Sequence, residues 1–215
     1  MATGIDVAGN VTPHLDQLKA FGVQVVFRYY ASHTHLPGKI LTPAEAQAIS
    51  AAGLMIGAVW ENGFPTTREY FTLDQGRADA VRAVVLAKGL GQPAGSAIYF
   101  AVDCDLAYVD INTRLFNYFV GIKHTDLLGY RVGVYGSGLE CEKMTDWGLA
   151  EFSWLAGAKD WEGYETFLPR ATIVQRPLPE SFPRDLAGFP YSDSDWDYTV
   201  TNDYGGFQVP TPAIA

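Results

Sequence analysis

Asp103 and Asp105 follow directly on the apolar run Ser96 to Val102 (SAIYFAV). Residues two apart on an extended strand share a face, so both carboxylates are expected to point into one space. Acids or amides close other β-branched runs as well. Asp6 follows Gly4-Ile5, Glu61 follows LMIGAVW, Gln175 ends ATIVQ, and Asp197 lies in WDYTV, with Asp195 two residues before it as a competitor. Desolvation opposes an unpaired carboxylate at the edge of a core. Three readings stay open. Asp105 turns the chain while Asp103 pairs with Arg28; or the acids share protons, which suits glycoside hydrolysis; or Asp6, Asp103 and Asp105 hold a Mg-type ion. The second reading is preferred, so no metal or other cofactor is expected. Trp60, Tyr135 and Trp154 are candidate stacking platforms for sugar rings, and Arg28, Tyr30 and Gln175 are further candidate substrate contacts.

Such a constellation needs elements that deliver acids to one place. Short β-branched runs alternate with helical stretches, the pattern of βα units and a parallel sheet. The strand candidates are Gly4 to Val7, Val23 to Tyr30, Leu54 to Trp60, Ser96 to Val102 and Arg131 to Tyr135, then Phe152 to Ala156, Ala171 to Gln175 and Trp196 to Val200. Between them, Thr12-Pro13 reads as N-cap and first helical residue, and Thr42-Pro43-Ala44-Glu45 and Thr72 with Gln75 read as capping boxes. Ala78, Val81 and Val85 recur at helical spacing, and Asp110 is expected to cap a helix bearing Leu115, Phe119 and Ile122. Pro169, Pro177, Pro179, Pro183 and Pro190 forbid long helices near the end. The expected fold is α/β, a single (β/α)8 TIM-like barrel over residues 1–215, irregular in its C-terminal third. A doubly wound open sheet is the alternative.

Composition removes several classes. The 215 residues are 48% hydrophobic and 18% charged, which excludes intrinsic disorder. The net charge of −9 leaves no basic patch for nucleic acid or an anionic membrane, but does not exclude a neutral glycan. No apolar run reaches the roughly 20 residues of a membrane span. The first residues lack a signal-peptide pattern, so synthesis in the cytoplasm and delivery to the wall by release or injection are expected. Cys104 and Cys141 read as small hydrophobes, His33-Thr34-His35 as a solvated loop, and His14 and His124 as surface residues on helices. Walker, G-x-S-x-G and H-E-x-x-H motifs do not occur.

Gly4-Ile5-Asp6-Val7, Tyr99-Phe100-Ala101-Val102-Asp103-Cys104-Asp105 and Gly133-Val134-Tyr135-Gly136, in this order and spacing, resemble glycoside hydrolase family 25. The likeness is closer still to the glycoside-hydrolase-like domain of unknown function 1906, and it runs from Gly4 to about Val200. It implies a modified (β/α)8 barrel and a lysozyme-like muramidase that cleaves the β-1,4 bond of peptidoglycan or a related amino-sugar glycan. Asp6, Asp103 and Asp197 match the family's acids on strands one, four and eight. Asp105 stands where the family has its acid-catalyst Glu, one methylene short. The resemblance therefore implies that Asp105 or Glu61 protonates the leaving oxygen, that Asp103 polarises the substrate acetamido group, and that Asp6 and Asp197 set the charge of the floor. A glycan-binding barrel without activity is the reading from another class. A monomer is expected.

Overall fold

The computed structural model describes residues 1–36 and 38–210. Eight strands close a barrel in sequence order. They are β1 (Thr3–Val7), β2 (Val25–Tyr30), β3 (Met55–Trp60), β4 (Ala97–Ala101), β5 (Arg131–Gly136), β6 (Phe152–Leu155), β7 (Ile173–Pro177) and β8 (Ser194–Thr199). Helices α1 (Leu15–Ala20), α2 (Pro43–Ala51), α3 (Leu73–Leu90), α4 (Tyr108–Asp110), α5 (Phe116–Lys123), α6 (Gly138–Asp146) and α7 (Tyr164–Phe167) lie between strands, and a π-helical stretch, Ile111–Leu115, joins α4 to α5.

The sheet is not wholly parallel, as the βα pattern led one to expect. β1 through β7 pair in parallel, but β8 runs antiparallel to both β7 and β1. The physical reason lies in residues 178–193. Pro179, Pro183 and Pro190 interrupt the segment, and one 3-10 turn, Tyr191–Asp193, is its helical content. With no crossover helix to return the chain to the far end, β8 starts at the end where β7 finishes. Residues 203–209 then cover the opposite end, where Ala97 donates to Gly205 O and Tyr99 Oη to Tyr204 O.

Side chains alternate in and out of the barrel. Val25, Phe27 and Tyr29 of β2 point inward, while Val26 and Tyr30 join the core between strands and helices. Phe27, Tyr99 and Trp154 fill the barrel, and Gly57 and Gly133 make room for them. A Cβ at Gly57 would lie 2.1 Å from the Phe27 ring, and one at Gly133 2.4 Å from Tyr99.

Helix details depart from the sequence pattern in three places. On α3, Val81 and Val85 are exposed, and Gly76, Ala80, Ala83 and Ala87 are buried instead. Close packing on α5 selects this small face: a Cβ at Gly76 would meet Tyr118 O at 2.0 Å, and one at Gly121 would meet Leu73 O at 2.2 Å. Thr12-Pro13 opens a 3-10 turn rather than α1, and His14 is buried edge-on against Phe189 rather than exposed. Asp110 lies inside the helical stretch, paired with Arg68 and Arg114, while Ala107 occupies the N-cap of α4. Thr42 and Thr72 do cap α2 and α3, each accepting from the backbone N–H three residues on.

Candidate functional site

A cavity of about 220 Å³ opens at the end of the barrel where β1 to β7 finish and β8 begins. Asp6 and Asp195 are register partners in the β1–β8 ladder, so the reversed strand places a second carboxylate beside the first. Asp6 is almost fully buried and is held by two donors, Tyr29 Oη at 2.9 Å and Gln175 Nε2 at 3.0 Å. Gln175 is itself fixed, its Oε1 accepting from Tyr135 Oη and Gly157 N at 3.0 Å each. Its Nε2 also approaches Asp195 Oδ2 at 3.4 Å. Asp103 and Glu61 line the same cavity from the loops that leave β4 and β3, and Lys39 Nζ donates to Glu61 Oε1 while lying 4.6 Å over the Tyr29 ring.

Burial and mutual repulsion favour the neutral forms of several of these acids. Burial raises Asp6 above the usual carboxylate range, against the two donors that lower it. Asp195 is pushed up to about 6 by burial and then by the charge of Asp6. Asp103 is raised by burial and by Glu61, with Lys39 opposing. Asp197 lies fully buried beneath the floor, where Oδ1 accepts from Trp154 Nε1 at 2.8 Å and Oδ2 has no donor. Burial, then Asp6, holds Asp197 well above its ordinary value. The oxygen left without a donor, Oδ2, is consistent with a carboxyl whose neutral form burial favours. Two buried acids so close to one another oppose double ionisation, and the more deeply buried Asp197 is the one held neutral.

A raised carboxylate has a testable consequence for stability. Asp195 is neutral in both folded and unfolded chains well below about pH 4, and between about pH 4 and 6 the unfolded chain ionises it while the fold still opposes the charge. The stabilisation enjoyed at low pH is therefore lost through that window. Asp195→Asn is expected to be more stable than wild type at about pH 8, by about 1 kcal/mol after allowance for solvent screening, and equal to it near pH 3.5. Denaturant unfolding at the two pH values measures this, and an equal offset at both would contradict it.

The structure brings together Asp6, Glu61, Asp103, Tyr135, Trp154 and Gln175 from the sequence-based candidates. The others need correction. Asp105 is exposed, and its two oxygens accept from Glu162 N at 3.1 and 3.2 Å. β4 ends at Ala101, so the strand alternation that would have aligned it with Asp103 no longer applies. Glu140 pins this loop by accepting from Leu106 N at 3.0 Å. Arg28, Tyr30 and Trp60 face outward from the barrel and do not line the cavity. Arg28 is fully buried in a salt bridge with Glu45, Tyr30 Oη donates to Gln92, and Trp60 packs in the outer core. Asp197 lies below the cavity because β8 descends from it, and Asp195 takes the wall position.

Sequence reasoning missed Tyr29, Lys39 and Trp161. Tyr29 alternates with Phe27 on the inner face of β2, but which face is inner is set only when the sheet closes. Lys39 carries no local pattern. Trp161 lines a neighbouring depression of about 250 Å³ with Arg176, continuous with the cavity through Asp103 and Asp195. Among the described residues no group of three or more His, Cys, Asp and Glu is arranged to hold a metal, so the Mg-type reading has no ligand set there. No helix among them is long and apolar enough to cross a membrane.

A family model described as Rv2525c-like, glycoside hydrolase-like domain matches residues 16–195. The uncharacterized protein FadG of Bacillus subtilis is 32% identical over 150 residues, 66% of this chain and 25% of FadG. The chain spans about a quarter of the length of the curated relatives it matches. The crystal structure of the Tat-secreted protein Rv2525c of Mycobacterium tuberculosis superposes with a TM-score of 0.79 at 22% identity, covering 95% of this chain and 98% of that one. The modular autolysin LytC of Streptococcus pneumoniae, in complex with a synthetic peptidoglycan ligand, gives 0.56 at 15% identity, over 92% of this chain and 46% of LytC. At these identities the structures share the fold.

Proposed function

The chain belongs to the family of Rv2525c-like, glycoside hydrolase-like domains, and from that footing we propose that its acid cavity hydrolyses a β-1,4 bond in peptidoglycan or a related amino-sugar glycan. The observation that carries this reading is the convergence of Asp6 and Asp195, on β1 and β8, with Glu61 and Asp103, just past β3 and β4, on one open cavity. Asp195, pushed up to about 6, is the acid poised to hold a proton near neutral pH and to be re-formed after giving it. It protonates the bridging oxygen as the bond to the anomeric carbon breaks, and it regains a proton from the water that completes hydrolysis. Asp103, whose carboxylate has no protein donor among the described residues, accepts from the acetamido N–H of the sugar and orients its carbonyl. Asp6, held by Tyr29 and Gln175, faces the positive charge that develops at the ring. All these groups come from one chain, so a monomer suffices, and the acidic bowl repels nucleic acid.

Release of reducing ends from purified peptidoglycan tests the proposal. The rate is expected to fall as pH rises through about 6, where Asp195 loses its proton. Asp195→Asn removes that limb along with most of the rate. A rate that climbs with pH across the same window contradicts the assignment of Asp195.

A second reading is favoured by the position of Asp105. The residue aligned with the family's acid catalyst is turned to Glu162 N and away from the cavity. A barrel that has lost its catalyst would bind glycan without cutting it. Retention on sacculi with no reducing ends released, at any pH from about 4 to 8, would select that reading.

A further inference from the structure

Beside the acid cavity lies a second depression of about 190 Å³, walled by His33, His35 and Phe64 and separated from the first by Leu36, Lys39 and Glu61, which line both. Its most unusual feature is Phe64. The residue holds φ at 60°, in the left-handed region that L side chains avoid, and 64% of its surface is exposed. A strained backbone that presents an aromatic ring to solvent gains nothing from core burial. The ring instead lies nearly parallel to the His35 imidazole, with centroids 5.8 Å apart and planes inclined by 19°. The two segments that carry these rings are tied together. Asn62, buried at the end of β3, accepts from Ser32 N at 2.7 Å and His33 N at 3.3 Å.

Resting on the glycan reading above, we propose that this depression is a neighbouring sugar subsite, in which the next pyranose of the same strand lies against Phe64 and His35. A pyranose presents an apolar C–H face and a rim of hydroxyls. The depression offers the matching pair, a flat aromatic wall and, at the edge shared with the acid cavity, the Lys39 ammonium and the Glu61 carboxylate, a donor and an acceptor. Continuity through that shared edge identifies the occupant as the sugar bonded to the one in the acid cavity, rather than as a separate ligand. The bond between the two rings would cross over Lys39 and Glu61. The strand then runs from the β2–α2 loop across the acids, and the protein reads at least two consecutive units.

Titration calorimetry with N-acetylglucosamine oligomers of two to four units tests this without relying on catalysis. Affinity is expected to rise with length in the wild type. Phe64→Ala and Phe64→Gly lose roughly tenfold in affinity for the tetramer and progressively less for shorter oligomers, while Phe64→Tyr retains the rise. Folding is checked separately: Gly suits the left-handed backbone, so Phe64→Gly is expected to melt no lower than wild type. If the wild type binds oligomers and the Ala and Gly variants match it at every length, the subsite is refuted and the glycan reading stands. If the wild type binds no oligomer, the glycan reading and the subsite fall together.

Discussion

Asn in place of Asp195 is expected to lower reducing-end release at pH 6 by roughly 10²–10⁴-fold, the usual contribution of a positioned general acid. Asn in place of Asp103 is expected to lower it by roughly 10²–10³-fold, as the loss of one oriented charge does. Asp105→Asn, by contrast, should leave the rate within about threefold of wild type. Asp105 only accepts a backbone hydrogen bond from Glu162, on the outer side of the β4 loop, and a surface change of that kind costs about 0.5 kcal/mol or less. The contrast separates geometry from motif. Family position favours Asp103 and Asp105, whereas the cavity favours Asp103 and Asp195. If Asp105→Asn proves the most damaging of the three, the loop must rearrange around substrate and the assignment made from the cavity is wrong.

Glu45→Gln should cost about 3–5 kcal/mol of stability, the largest single effect expected in this chain. Arg28 is wholly buried, and Glu45 meets it through both oxygens, at 3.0 Å to Nε and 3.0 Å to Nη2. Arg28 Nη1 also donates to Val7 O and Nη2 to Gly38 O, and Glu45 Oε1 also accepts from Val11 N. One ion pair thus ties the end of β1, the β2–α2 loop and α2 into one unit. Removing the carboxylate charge leaves a buried guanidinium without its counter-ion. The double replacement Arg28→Met with Glu45→Leu removes both charges and should cost less than Glu45→Gln, though still above zero, because the three backbone groups lose their partners. Urea unfolding of the two variants is the measurement. A Glu45→Gln cost below about 1 kcal/mol would mean that water reaches this pair. The same unit carries Asp6 one residue before Val7 and Lys39 one residue after Gly38, so loosening it should also weaken oligosaccharide binding.

Much of this protein could be read locally. Eight β-branched runs, in order, become the eight strands, because alternating apolar stretches of four to eight residues have few other ways to bury themselves. Acids at the ends of those runs gather at one end of the barrel, since a parallel βα arrangement puts strand ends together. That reasoning finds Asp6, Glu61 and Asp103 without coordinates. It also places Tyr135, Trp154 and Gln175, whose runs end in line with the others.

What local pattern could not supply is phase and direction. Whether Tyr29 or Tyr30 faces the cavity depends on how all eight strands are staggered when the sheet closes, and a shift of one residue exchanges the faces. Arg28 and Trp60 were misplaced for the same reason. The reversal of β8 is likewise a property of the closed sheet: a proline-broken connection that stays at one end turns the strand around, lifting Asp195 to the cavity and lowering Asp197 beneath it. Asp105 moved away because β4 stops at Ala101, a boundary set by the loop's partners Glu140 and Glu162, far along the chain. The residue types and their order were thus local information, carried by hydrophobic period and turn chemistry. Which acids share one cavity was decided by non-local pairing, where closure of the barrel outweighs the preference of any single segment.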